Sequence, residues 1–172
     1  MHTELVVLRL IHVLSGIFWV GSGLFTSLFL VPALAGSGGA MGQVMGGLQR
    51  RGLFIALPVA GLLTIASGLR LMWITSGGFD AAYFASPGGQ AFALAGAAAV
   101  LGFLVGLLAA RPAAARAGRL GSELGAASDE AARTRLAAEL GRVRRRGALA
   151  NGTAVALLVL AAAGMAVARY VG

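Results

Sequence analysis

Four stretches of this chain are each long enough and apolar enough to cross a bilayer, and no other feature limits its possible folds so tightly. A helix needs roughly 20 apolar residues to traverse the hydrocarbon. Residues 5–31 form the first stretch, interrupted only by Arg9 and His12, and residues 53–75 the second, with Arg70 near its end. Residues 90–110 carry no charge at all, and residues 148–171 carry only Arg169, near the end. Lipid offers no partners to irregular backbone, so spans of this length must be helices. The expectation is an all-α integral membrane protein: a single domain over residues 1–172, folded as a four-transmembrane-helix bundle.

Composition agrees with this and excludes much else. Of 172 residues, 58% are hydrophobic and 12% charged. A soluble surface needs about twice that charge. Glycine, at 27 residues, points in a membrane chain to close helix packing more than to loops. Without cysteine, disulfides, iron–sulfur clusters, thiolate zinc sites and cysteine nucleophiles are ruled out. All 14 basic residues are arginine, against 6 acids, giving a net charge of +8. In a soluble protein that balance would suggest nucleic acid; in a membrane chain it is read by position, and no nucleic-acid partner is expected.

Residues 111–147 hold nine arginines against Glu123, Asp129, Glu130 and Glu139, and Arg50 and Arg51 end the segment between spans one and two. In a four-span chain these two segments share a side, which the positive-inside rule makes cytoplasmic. Both termini and the loop from Gly77 to Gly89, with Asp80 its only charge, are then periplasmic. The expected location is the bacterial inner membrane. Ala33 to Ala35 before Gly36 looks like a signal-peptidase site, but the apolar run is long and lacks a basic start, so an uncleaved first helix is expected.

Residues 111–147 read as a cytoplasmic helical hairpin. Ser128 followed by Asp129 and Glu130 is a helix start. Asp129 with Arg133, and Arg135 with Glu139, are spaced as surface ion pairs. Leu136, Leu140 and Val143 form an apolar stripe. Helix four is expected to begin near Ser128 and run into the membrane, with a shorter arm from Arg116 to Ala126 after Pro112. The arginines of this hairpin are expected to meet anionic lipid headgroups.

Ionisable groups inside a span are costly and need a reason. His12 lies about 10 Å into the first span. Gly16, Trp19 and Gly23 follow on its face, with Arg9 one turn above. Glycines beside a histidine allow a flat macrocycle near the backbone, and an arginine could bind its propionates.

The segment from Ile11 to Pro32, IHVLSGIFWVGSGLFTSLFLVP, sets His12, Trp19 and Gly21 in the pattern H-x6-W-x-G. This resembles the first helix of the copper resistance protein D family. It is similar also to HemJ-type protoporphyrinogen oxidases and to the membrane part of bacterial membrane-anchored urate oxidases. The resemblance covers about 20 of the 172 residues. It implies that His12 is an axial ligand of haem b. HemJ-type enzymes also rely on a lysine, and this chain has none, so that activity does not carry over.

A sixth ligand would be methionine, since His2 lies outside the span. Met165 is about 9 Å from the outer end of span four, matching His12, whereas Met72 is only about 4.5 Å from the end of span two. Two copies of His12, or an open sixth position, are alternatives. Arg9, Arg70 and Arg169 near the outer helix ends are candidates to bind propionates, against the alternative that each reaches for headgroups.

Two other readings compete: a non-catalytic accessory or assembly subunit of a larger complex, and copper handling, with His12 and methionines as ligands. Met41 and Met45 form a pair that fits packing better than copper(I). Gly102 and Gly106 make a close-packing step, internal or serving a homo-oligomer or larger complex. Asn151 can hydrogen-bond across the bundle or reach the cytoplasmic interface, and the second is preferred. Ser15 is expected to bond a backbone carbonyl rather than His12. No acid lies deep in a span, so neither a carboxylate relay nor hydrolytic chemistry can be assembled.

Overall fold

The computed structural model describes residues 2–34 and 40–171, and these are almost entirely helical. Four continuous helical rods are long and apolar enough to cross a membrane: His2–Leu34, Leu53–Thr75, Pro87–Ala126 and Glu130–Tyr170. Within them lie α1 (His2–Phe25), α2 (Val31–Leu34), α4 (Leu53–Thr75), α6 (Pro87–Val105), α7 (Arg111–Ala126) and α8 (Glu130–Val167). Short helices α3 (Ala40–Arg50) and α5 (Ala81–Ala85) join the rods. Ala35 and Gly36 of the signal-peptidase-like segment lie outside the described residues.

Two rods run through a proline without breaking, by the same device. Proline removes one N–H and its ring crowds the carbonyl four residues back. Ahead of Pro32, residues Thr26–Leu30 widen into a π-helix, and Val31 N–H donates to Thr26 O. Ahead of Pro112, residues Gly106–Ala110 do the same, and Arg111 N–H donates to Gly106 O. A π-turn shifts the bonding register by one residue and absorbs the defect. The expected break at Pro112 is therefore absent: the third span continues as α7 from Arg111.

The ends are set by local signals. Gly77, Gly78 and Phe79 take positive φ after α4, and Ser76 Oγ accepts from Phe79 N–H at 2.8 Å. Asp80 caps α5 through Ala82 N–H, and Ser86 caps α6 through Gly89 N–H. Any side chain at Gly89 would meet the Tyr83 carbonyl oxygen at 2.0 Å. Asp129, not Ser128, caps α8, accepting from Ala132 N–H at 2.9 Å. The expected Arg135–Glu139 pair is also replaced: Glu139 bonds Arg116 across the hairpin. Leu120 and Leu140 are buried between α7 and α8, as the apolar stripe requires.

Packing divides the bundle into two pairs, α1 on α4 and α6 on α8. The second pair is a seam of small residues. Ala95, Ala99 and Gly102 on α6 face Ala154, Leu158 and Ala161 on α8, all buried. A Cβ at Gly102 would stand 3.1 Å from Ala154 O and 3.2 Å from Leu158 Cδ2. Lipid tails are as apolar as leucine, so close backbone approach replaces the hydrophobic effect here. The Gly102 surface is thus spent inside the chain. Trp19, Ala60 and Leu158 join the pairs at mid-bundle, with Trp19 edge-on to Phe103 at 5.7 Å. Asn151 takes the less favoured of its two expected roles, donating across the bundle to Ser27 Oγ at 2.7 Å.

Candidate functional site

His12 points into the seam between α1 and α4. Its Nδ1 lies 2.8 Å from the backbone oxygen of Thr64. A carbonyl only accepts, so Nδ1 carries the proton, and in the neutral ring Nε2 holds the lone pair. Ser67 Oγ stands 3.4 Å from the same Nδ1 and itself donates back to Leu63 O at 2.5 Å. No hydrogen bond to Nε2 exists among the described residues. The ring rests on Gly68, where a Cβ would come 2.8 Å from His12 Cε1.

One turn further along, the hydroxyls of Ser15 and Thr64 meet at 2.8 Å. Each also lies against a carbonyl four residues back on its own helix, Ser15 on Ile11 O at 2.5 Å and Thr64 on Ala60 O at 2.8 Å. Whichever donates across the seam, the other stays satisfied at home. Ser15 thus lies against a carbonyl, as expected, and against the Thr64 hydroxyl.

The other members of the expected site are placed differently. Gly16 does not open the backbone to a macrocycle, because Thr64 Cγ2 lies 3.5 Å from where its Cβ would be. Trp19 is buried and covers Gly61, 3.1 Å from that residue's Cβ position. The face running from His12 through Gly16 to Trp19 is thus filled by α4.

The three arginines differ in their partners. Arg70 donates to Glu4 through Nε at 2.9 Å and Nη2 at 2.6 Å. Arg169 lies over the ring of its neighbour Tyr170, 4.6 Å from the centroid. Arg9 is exposed and has no partner among the described residues. Glu4 and Arg70 line an open groove of about 400 Å³ with Trp73, Ile74, Gly77 and Gly78, where the start of α1 meets the end of α4.

Met165 sits on α8, which packs on α6, whereas the polar contacts of the His12 ring among the described residues are with α4. Ser27 meets Asn151 and Gly23 meets Val155, so the first rod touches α8 at positions 23 and 27. Met72 packs instead on Gly96, its Cε 3.6 Å from the Cβ position there. No group of three His, Asp or Glu side chains able to hold a metal occurs among the described residues.

Thr64 and Gly68 are the partners that sequence reasoning overlooked. Their signal was present: Gly61, Thr64 and Gly68 recur at three and four residues, one face of a helix. Comparison with protein families, with curated proteins and with solved structures finds no match to this chain. The fold defines a class only: a multi-pass membrane protein of four apolar helical rods.

Proposed function

We propose that this chain is a haem-binding protein of the bacterial inner membrane, with both termini periplasmic, a cytoplasmic α7–α8 hairpin, and His12 Nε2 as the axial ligand of a b-type haem. One observation carries the reading. The Thr64 carbonyl fixes the proton on Nδ1 and leaves Nε2 as an unpartnered lone pair within an apolar span. Histidines that ligate metal usually donate their other ring N–H in this way, which orients the ring and raises its basicity. The filled face at Gly16 and Trp19 means a macrocycle would approach Nε2 from the outer side of the seam. There Arg9 is unpaired, and Arg70 would exchange Glu4 for a propionate. Haem bound so would give the protein a redox or haem-handling role.

The test is the visible spectrum of the purified protein, oxidised and reduced, with haem supplied. A Soret band with sharp reduced α and β bands is expected, lost in His12→Asn. The asparagine amide can replace Nδ1–H toward Thr64 but offers nothing in place of Nε2. Met165→Leu should shift the low-spin bands if that sulfur is the sixth ligand. A protein that stays colourless with haem present overturns the proposal.

A second reading has its own observation: His12 ties α1 to α4, seated on Gly68. On that reading the histidine is a structural clamp in a non-catalytic subunit. Full retention of a co-purifying complex in His12→Asn, with no haem in either protein, would favour it.

A further inference from the structure

We propose that a cleft between α7 and α8, lined by Arg116, Arg142 and Arg146, binds the phosphate of an anionic phospholipid and so braces the hairpin at the membrane surface. The cleft measures about 140 Å³ and is closed by Glu139 and Val143. Three guanidinium groups face it against one carboxylate, and that carboxylate is already engaged, accepting from Arg116 Nη2. Arg116 is thereby held over the seam while Arg142 and Arg146 reach in from α8. On a helix, positions 139, 142 and 146 share one face. The guanidinium groups thus offer several N–H donors to a tetrahedral anion from two helices at once.

Position selects a lipid over a free anion. Arg146 ends the basic run, and the apolar stretch of residues 148–171 follows at once. Below the cleft, Gly147 and Ala113 bring the two helices together, 3.1 Å between the Ala113 Cβ and the Gly147 Cβ position. Leu149 lies on the face of Arg142, one turn past Arg146, and is 68% exposed. It offers an acyl chain an apolar surface directly beneath the phosphate.

The experiment measures binding of dioleoyl phosphatidylglycerol to the full-length protein in neutral detergent, against phosphatidylcholine and against inorganic phosphate. Each arginine near a membrane surface contributes roughly fivefold to such binding, so Arg142→Gln with Arg146→Gln should lose about twenty-fivefold. Arg133→Gln with Arg135→Gln removes the same charge from exposed positions farther out on α8 and should lose under about fivefold, being largely screened from the cleft. Selective phosphatidylglycerol binding lost only in the first pair supports the cleft. Equal losses in both pairs would mean diffuse attraction and overturn it. So would equal binding of phosphatidylcholine. Inorganic phosphate binding as tightly as the lipid would refute the assignment to a headgroup. None of these outcomes depends on whether His12 binds haem.

Discussion

Gly68→Ala tests the α1–α4 seam at its tightest point. The added Cβ would lie 2.8 Å from His12 Cε1 and 3.1 Å from Nδ1, whereas carbon atoms rest at about 3.5–4.0 Å. The ring must retreat by about 0.7 Å at least to reach the near edge of that range. The same retreat stretches the 2.8 Å bond to Thr64 O toward the limit at which a hydrogen bond is lost. Overpacking of this kind costs about 1–3 kcal/mol, and an interhelical bond in a membrane contributes about 0.6 kcal/mol. Against this, alanine gains up to about 1 kcal/mol over glycine in a helix. The expected net loss is about 1–2 kcal/mol, read from reversible unfolding in mixed micelles with increasing dodecyl sulfate.

A double-mutant cycle isolates the contact. With His12→Ala in place the alanine at 68 meets no ring, so Gly68→Ala should be neutral or stabilising there. The coupling between the two sites is then about 1–3 kcal/mol. An equal loss in both backgrounds would refute the placement of the imidazole over Gly68.

Three further perturbations probe the rest of the fold. Leu140→Ala, at a residue 6% exposed, should destabilise the hairpin by about 2–5 kcal/mol, but Arg116→Ala by under about 1 kcal/mol, because that ion pair is largely solvated; hydrogen exchange across α7 distinguishes them. Gly102→Leu should unfold the α6–α8 pair without creating or removing an oligomer, since the surface is internal; sizing and unfolding of the same sample show this. Gly89→Ala should dislodge α5, because its Cβ would overlap the Tyr83 carbonyl, and cleavage by protease near Asp80 to Ser86 should accelerate.

The spans were legible because hydrocarbon thickness acts on composition alone. Leu53–Thr75 was bounded correctly from its apolar run. The other rods run past their apolar stretches, because helices need not stop where the membrane does: α1 begins at His2, and the third rod continues to Ala126. Pro112 misled for a specific reason. A proline reads as a stop, and the π-turn that rescues it has no composition of its own. His12 stood out as a lone imidazole, but its partners are one backbone oxygen and one missing side chain, at Thr64 and Gly68. Neither carries a chemical label in a sequence. The three arginines were read together because Glu4, which engages Arg70, was left out of the pairing.

What the seam adds is a reason for histidine at position 12. The Thr64 carbonyl has two lone pairs, so it can receive an imidazole N–H without surrendering its place in the helix. A serine hydroxyl at position 12 would turn back to its own helix, as Ser15 and Ser67 do. An asparagine amide could reach across, and as a clamp would be sufficient. Only the imidazole holds the neighbouring helix with one nitrogen while presenting an acceptor lone pair on the far side of a rigid ring. Clamp and ligand are therefore separable at one residue. If His12→Asn matches the wild type in both stability and pigment, the histidine is only a clamp; if stability survives and pigment is lost, Nε2 is the working atom of the site.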